Sequence, residues 1–156
     1  MTRLDSRKLE QQLRALLAVP QAMPAAAPQV AQETLGHAII GAQANIYNTA
    51  QSAGGYERTF EYMRSLDAVA KTTKTRVSIR ISSDAEYALV IETGREGNLD
   101  QLQAEALARN NAAAPFTQGR SGIEWWLPGP VITGAQVYAA RRLQSLFLKK
   151  VRAALR

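Results

Sequence analysis

Residues 76–82 constrain the fold most strongly, because their side chains alternate strictly between apolar and polar. Val77, Ile79 and Ile81 fall on one side of an extended chain, whereas arginines and serines fall on the other. A period of two residues is typical of a β-strand with one buried side and one side in solvent. A hairpin is not stable alone, so the segment predicts a sheet that is covered by the apolar helices flanking it in the sequence.

Other segments extend this sheet in the prediction. Residues 87–91 are apolar on both faces, as in a central strand covered on each side, and Glu92-Thr93-Gly94 ends that strand. Residues 66–70 can form a short strand that a polar loop joins to residues 76–82. The result is a three-stranded antiparallel meander, to which residues 123–127 can add a fourth strand.

Two helices are predicted before the sheet. Asp5 or Ser6 can cap the first, and its apolar stripe consists of Leu9, Leu13, Leu16 and Leu17. Pro20 is expected to stop this helix, and residues 20–28, rich in proline and alanine, are expected to form a stiff extended linker. The second helix is expected over residues 28–52.

Gly36 and Gly41 lie inside the second predicted helix. Each costs about 1 kcal/mol relative to alanine in a helix interior, so their presence predicts that another backbone approaches closely there.

A last helix is predicted after the turn Pro128-Gly-Pro130, with Thr133 helping to start it. One stripe of this helix is apolar: Ala140, Leu143, Phe147, Val151 and Ala154. Leu146, Leu148 and Leu155 widen the apolar surface beyond what one sheet face requires. Surplus apolar surface on a helix predicts a neighbouring subunit.

These elements predict a single α+β domain over residues 1–156, in which a small antiparallel sheet of three to four strands packs against two long helices. Residues 1–27 form an additional N-terminal helix and a Pro/Ala linker, and residues 95–122 form a long loop or insertion. No apolar run approaches the ~20 residues of a membrane span. Asp5 and Glu10 lie where a signal peptide has its apolar core. The chain is therefore expected to be cytoplasmic or particle-associated.

The composition contains few of the residue types that form catalytic or metal sites. The chain has no cysteine and one histidine, His37, which argues against disulfides, thiolate catalysis and the usual zinc sites. We therefore expect no metal site, no cofactor and no enzymatic activity. A small hydrolase centred on His37 or Glu92 is the weakest hypothesis, because a histidine on a helix is more often a packing residue. A buried Glu92 more often forms a salt bridge or fixes a turn through a backbone hydrogen bond.

The net charge of +6 is concentrated at the carboxyl end. No acidic residue follows Glu124, whereas six basic residues do: Arg141, Arg142, Lys149, Lys150, Arg152 and Arg156. Cations are favourable near the carboxyl end of a helix, which explains this distribution without a ligand. Binding of nucleic-acid phosphates is the alternative explanation.

The aromatic residues of segment 56–66 also allow two interpretations, one with a nucleic-acid ligand and one without. Three aromatic side chains alternate there with Arg58 and Arg64, a pattern compatible with a nucleic-acid platform or with a half-buried connection. We favour the interpretation of this segment as a half-buried connection.

The order of these features resembles a protein family. A leucine-patterned first helix, a long second helix and an arginine-containing connection precede a meander whose last strand reads Tyr87-Ala88 through Glu92-Thr93-Gly94. A proline-rich segment from Pro128 to Ala135 then leads into a closing helix. This order is similar to that of the small head–tail joining and tail-completion proteins of long-tailed bacteriophages, over most of the chain.

The resemblance implies a structural virion protein that forms a homo-oligomeric ring at the phage neck, between the portal or connector and the tail tube. Its implied partners are copies of itself, portal or head-completion proteins, and tail-tube or tail-terminator proteins, with no membrane. Genomic DNA is expected to pass through the ring without sequence-specific contacts. The implied location is the virion, after assembly in the host cytoplasm.

Candidate surfaces follow from this hypothesis. The residues expected at oligomer interfaces are Tyr87, Glu92, Trp125, Trp126, Leu146 and Leu148. The basic residues expected to face DNA are Arg76, Arg80, Lys149, Lys150 and Arg152. A mainly helical fold with residues 87–93 outside any sheet would undo this interpretation, which places the sheet at the centre of a repeated subunit.

Overall fold

The computed structural model describes residues 6–47, 59–94, 100, 104 and 130–156. A long bent helical segment begins the chain and consists of α1 (Ser6–Ala22), a 3-10 turn (Pro24–Ala26) and α2 (Ala27–Ala42), which continues as a π-helical turn (Gln43–Tyr47). This segment, a two-stranded antiparallel hairpin and a long C-terminal helix pack together into an α+β fold.

The predicted extended linker between the first two helices is wrong. Pro20 lies inside the last turn of α1, and Pro24 and Pro28 each lie in the first turn of a helical element. Proline is tolerated at these first positions because the missing N–H group has no intrahelical acceptor there. The prolines therefore bend the helical segment and do not end it.

The buried face of α2 consists mainly of small residues: Ala27, Val30, Ala31, Thr34, Ala38, Gly41 and Ala42. The predicted helix beginning near Pro28 is confirmed as far as the described residues reach. The close backbone approach expected at Gly36 is wrong, because a Cβ atom built on this residue meets no atom within 4 Å. The same expectation stands for Gly41, which is buried.

A short connection leads from residue 59 into the hairpin. Phe60 has a positive φ of 56° and precedes α3 (Glu61–Arg64). Tyr62 is fully buried, whereas Phe60 is exposed and stacks on Tyr47 with ring centroids 4.7 Å apart. The described part of this segment is the half-buried connection that the sequence predicted.

The hairpin consists of β1 (Leu66–Thr72) and β2 (Val77–Ser83), in agreement with the predicted strands. Ala68 pairs with Ile81 and Ala70 pairs with Ile79 on the side that faces the helices. The opposite side carries exposed residues such as Val69 and its partner Arg80. The alternation in the sequence therefore matches the burial of the two faces.

The predicted third strand is wrong, because residues 88–93 form a short helix, α4 (Ala88–Thr93). Ile91 is buried and Ala88 partly buried, whereas Leu89 and Val90 are exposed. This spacing of three residues between the inward side chains is helical. Short apolar runs fit a covered strand or a helical turn equally well by periodicity. The described part of the chain is thus mainly helical, with residues 87–93 outside its sheet.

Other predictions for the middle of the chain lie outside the described residues. They include the fourth strand at 123–127, with Trp125 and Trp126, and the long loop at 95–122 apart from Asp100 and Ala104, which are helical and exposed.

The last predicted helix is confirmed as α5 (Ile132–Ala154). It packs against α1, α2 and β2, and its first half contributes Thr133, Gly134, Ala135 and Ala139 to the buried interior. The predicted apolar stripe is covered only in part, since Phe147 remains 39% exposed. The central cluster joins this helix to the rest of the fold and includes Ala38, Tyr62, Ile81, Ile91 and Ala135.

Candidate functional site

Glu92 is a buried carboxylate at the centre of the fold, with 4% of its surface exposed. Its Oε1 accepts hydrogen bonds from the Val131 and Ile132 backbone N–H groups, at 2.8 and 2.6 Å. The same oxygen accepts a hydrogen bond of 3.0 Å from the hydroxyl group of Tyr62. Oε2 accepts from the backbone N–H and the hydroxyl group of Thr133, at 3.1 and 3.0 Å.

These contacts make Glu92 the cap of α5. The first N–H groups of a helix lack intrahelical acceptors, and a negative charge near them is favoured by the helix dipole. Val131, the N-cap residue, makes no capping hydrogen bond through its side chain. Glu92 therefore supplies from α4 the acceptor that α5 lacks locally. The expected backbone hydrogen bond of Glu92 is confirmed, but it fixes the start of a distant helix and not the adjacent turn.

The hydrogen bonds of Glu92 also bear on its chemistry. Two carboxylate oxygens offer about four lone-pair sites, and they accept five hydrogen bonds here. A general base needs an oxygen that is free to take a proton from a substrate. The geometry of Glu92 suits a structural cap better than a catalytic base.

Gly94 ends α4 in a conformation that few residues other than glycine adopt. Its φ is 73° and its ψ is 179°, a region of the backbone map that is open essentially to glycine alone. The spacing Glu92-x-Gly94 thus places a buried cap next to the glycine that ends α4.

We expect Gly94→Ala to lower the free energy of unfolding by about 1–3 kcal/mol, because a Cβ atom strains this backbone conformation. Urea denaturation followed by circular dichroism measures the change. Gly36→Ala is the matched control, since Gly36 lies in a helix with open space at its Cβ position and is expected to stabilise the protein slightly. Equal effects of the two substitutions would contradict the role given to Gly94.

A second polar cluster joins α2 to α5. Arg142 donates to Glu33 from Nε at 2.6 Å and from an Nη at 3.0 Å, a bidentate pair. Gln29 and Tyr138 also donate to Glu33, at 2.8 and 3.4 Å. His37 stacks on the Tyr138 ring with centroids 4.5 Å apart. The cluster fastens the two helices at the edge of the core.

The charges of this cluster shift the protonation of its members. The hydrogen bond from Arg142 holds the pKa of Glu33 below its usual value, against the opposing effect of burial. The same hydrogen bond raises the pKa of Arg142. Burial, and then the charge of Glu33, raise the pKa of the Tyr138 phenol, which therefore stays protonated to a higher pH than usual. These shifts favour the ionised form of Glu33 and the protonated forms of Arg142 and Tyr138, which are the forms that make these hydrogen bonds.

The Glu33–Arg142 pair predicts a pH-dependent contribution to stability. Its side chains are 25% and 35% exposed, so solvent screens the pair and we expect Glu33→Gln to cost about 0.5–1 kcal/mol at pH 7. Because the folded-state pKa of Glu33 lies below its unfolded value, this stabilisation is present above the unfolded pKa, about 4.3, and is lost as the pH falls through the folded-state pKa.

Denaturation of the wild-type and Glu33→Gln proteins between pH 7 and pH 3 tests this expectation. The difference in stability should shrink as the medium becomes acidic, whereas a difference that is constant with pH would exclude the ionic contribution. Glu10→Gln is the control, since Glu10 pairs with Arg14 on the exposed surface of α1.

The two candidate bases of the hydrolase hypothesis have separate surroundings. Glu92 contacts Tyr62 and the start of α5, whereas His37 stacks on Tyr138. Within residues 6–47, 59–94 and 130–156, no group of three or more histidine, cysteine, aspartate or glutamate side chains is arranged to hold a metal ion.

The predicted interface residues fall in different places. Leu148 and Tyr87 are exposed, Leu146 is half-buried, and Glu92 lies inside the chain. Trp125 and Trp126 lie outside the described residues. The carboxylate of Glu92 accepts its hydrogen bonds from groups of the same chain. It therefore affects a subunit surface only indirectly, by holding α4 against α5.

Most of the basic residues expected to face DNA are on the surface. Arg76, Arg80, Lys149 and Arg152 are exposed, and Lys150 is half-buried. Arg142 differs from the other basic residues of α5, because it binds Glu33. That ion pair and the partners of Glu92 were not predicted from the sequence.

No protein-family model, curated protein or solved structure matches this chain. None of the helices in the described ranges combines the length and apolar character that a membrane span requires.

Proposed function

We propose that this chain is a structural subunit of the bacteriophage neck, a tail-completion or head–tail joining protein that works as a homo-oligomeric ring. The observation that carries the proposal is the contact between its two resemblance motifs. Glu92, in the Tyr87–Gly94 motif, accepts hydrogen bonds from Val131, Ile132 and Thr133 in the proline-rich motif that opens the last helix. Motifs that are 39–41 residues apart in the sequence thus form one structural unit.

The chemistry of this unit supports a scaffold and not a catalyst. Glu92 is the single carboxylate in the sequence of the two motifs, and it accepts hydrogen bonds from the protein itself. The polar cluster at Glu33 ties α2 to α5. A subunit whose work is assembly needs a rigid body, and the hydrogen bonds of Glu92 and Glu33 hold the helices of this fold together.

The candidate surfaces for contacts between subunits lie on the helices. The sheet has two described strands and residues 88–93 form the helix α4, so these residues are not the central strand that the sequence suggested, and the proposed ring relies on helix surfaces instead. Exposed apolar side chains on α4 and α5 remain as candidates for subunit contacts, among them Leu89, Phe147, Leu148 and Leu155. Heterologous contacts between such surfaces generate rings when the rotation closes.

The test uses phage particles and a deletion of the gene. We expect the protein in purified virions, and we expect the deletion to yield filled heads that lack tails. Wild-type protein supplied from a plasmid should restore joined particles, whereas Leu148→Glu should not, and Gln136→Glu on the exposed side of the same helix should. Absence from purified virions, or normal joined particles after the deletion, would refute the proposal.

A basic nucleic-acid-binding protein is the second candidate. Lys149, Arg152 and Arg156 are exposed at the end of α5, and the described ion pairs, Arg14–Glu10 and Arg142–Glu33, involve none of them. With Lys150 these residues offer four positive charges, for which we expect a salt slope of about −3 to −4 for duplex DNA. Lys149→Gln with Arg152→Gln should reduce the slope by about 2. A flat titration at low salt would dismiss this candidate.

A further inference from the structure

The outer face of the β1–β2 hairpin, which points away from α2 and α5, is basic near its turn. Lys71, Arg76 and Arg80 are exposed, and strand alternation places all three on this face. The sequence contains no acidic residue from Lys71 to Ser83. This half of the hairpin therefore presents positive charge alone to solvent.

The strand register spaces the three cations evenly. Lys71 pairs with Ser78, and Arg80 lies two residues further along β2. Arg76 lies two residues from Ser78 in the other direction, where its C=O group accepts a hydrogen bond of 2.8 Å from the Thr73 N–H group. Residues two apart on one face of a strand are about 7 Å apart. Both strands thus contribute cations, and the cations follow one another along the ribbon at this interval.

These cations are not used in the ion pairs of the described residues. The two pairs there involve Glu10 and Glu33, with Arg14 and Arg142 as their partners. The acidic residue of the hairpin, Asp67, pairs with Ser82 at the end far from the turn. The side chains near the turn are therefore available to an anionic ligand.

We propose that this surface, the basic ribbon (Lys71, Arg76, Ser78 and Arg80), binds the phosphate backbone of duplex DNA from within the major groove. The major groove of B-DNA is about 12 Å wide and admits a two-stranded β-ribbon. A ribbon seated there has one strand near each wall, so that Lys71 of β1 faces one phosphate strand and Arg80 of β2 faces the other. The helices α2 and α5 pack behind the ribbon and remain outside the groove.

The composition of the hairpin favours this ligand over other polyanions. Residues 66–83 include no aromatic side chain on which unpaired bases could stack. Val69 is the single exposed apolar side chain on the outer face of the hairpin, all of which the structure describes. An anionic membrane surface or an acidic amphipathic helix is bound through several apolar anchors. Duplex RNA has a deep, narrow major groove that side chains do not reach.

The proposal goes beyond the neck role, because it concerns DNA binding by the isolated chain. It also differs from the second candidate function, which places the DNA against the end of α5. The gene deletion tests the neck role and the DNA titrations test the basic ribbon, so either proposal can fail without the other.

Anisotropy titrations of the full chain with a fluorescent DNA duplex of about 20 base pairs test the proposal. Arg76→Gln with Arg80→Gln should weaken binding at least tenfold at low salt and reduce the salt slope by about 2. Lys149→Gln with Arg152→Gln is the matched control, because it removes two positive charges from exposed positions on α5. Its affinity should stay within about twofold of the wild type, since non-specific attraction by net charge alone would affect both variants equally. Circular dichroism checks that each variant keeps the fold.

The proposal is overturned if the duplex does not bind at low salt, if the two double variants lose affinity equally, or if the α5 variant alone loses it. Single-stranded DNA and duplex RNA of the same length should bind more weakly than the DNA duplex, and equal or tighter binding of either would contradict placement in the major groove. Binding to anionic lipid vesicles without binding to the duplex, abolished by Arg76→Gln with Arg80→Gln, would identify a membrane surface as the ligand instead.

Discussion

Glu92→Ala is expected to lower the free energy of unfolding by about 2–5 kcal/mol, because several buried donors lose one acceptor at once. The substitution leaves the backbone N–H groups of Val131, Ile132 and Thr133 without the carboxylate that accepts their hydrogen bonds. It also leaves the buried hydroxyl group of Tyr62 without this acceptor. A buried donor that loses its acceptor costs about 1–3 kcal/mol. Urea denaturation followed by far-ultraviolet circular dichroism measures the loss.

The control for this experiment is Glu86→Ala, because Glu86 is an exposed carboxylate a few residues away. Its replacement is expected to change stability by less than about 0.5 kcal/mol. Equal effects at the two positions would contradict the capping role of Glu92, whatever the absolute values.

A double-mutant cycle with Tyr62 isolates one contact of the cap. Tyr62→Phe removes the hydroxyl group that donates to Glu92 and keeps the buried ring. We expect this change to cost about 1 kcal/mol in the wild type and much less once Glu92 is alanine. Independent, additive effects would show that the hydroxyl group and the carboxylate are not coupled.

The cap explains how residues 87–94 and the start of α5 depend on each other. Glu92 fixes the first turn of α5, and the same helix carries Ala135 into the central cluster with Ile91. A loosened α5 would move its exposed residues Phe147 and Leu148 relative to α4. If these surfaces join subunits, the buried hydrogen bonds of Glu92 determine the geometry of the contact without taking part in it.

Local patterns were sufficient to predict the two strands of the hairpin and the last helix. Val77, Ile79 and Ile81 alternate with polar residues over a length that fits a strand, and the observed β2 faces its helices with these side chains. The last helix has a long periodic pattern after a proline-rich turn. A long or strictly alternating pattern contains enough residues to distinguish the helical period of 3.6 residues from the strand period of two.

The prolines and the cap could not be predicted in this way. Whether Pro20 ends a helix or lies in its last turn depends on how the next element packs, which local sequence does not contain. Glu92 is the only carboxylate within the apolar segment that was predicted to be a strand, but its backbone donors at Val131, Ile132 and Thr133 have no signature in the side chains. Likewise Glu33 and Arg142 are 109 residues apart, and their meeting depends on the crossing of α2 and α5.

Ile91→Ala is expected to cost about 2–5 kcal/mol, because Ile91 is 1% exposed and its truncation leaves a cavity in the central cluster. Leu89→Ala and Val90→Ala are the matched controls, since these side chains are 61% and 45% exposed. Each should change the free energy of unfolding by less than about 0.5 kcal/mol, with alanine favoured over valine by helix propensity.

The three substitutions together distinguish a helix from the central strand that the sequence suggested. In a strand covered on both faces, Val90 and Ile91 would point to opposite sides and both would be buried, so both alanine variants would be strongly destabilised. If the segment is the helix α4, Ile91→Ala is the one substitution of the three that lowers the free energy of unfolding strongly. Equilibrium denaturation of the variants measures the difference, and a large loss at Val90 would return this segment to a sheet and remove the basis for the placement of Glu92 at the start of α5.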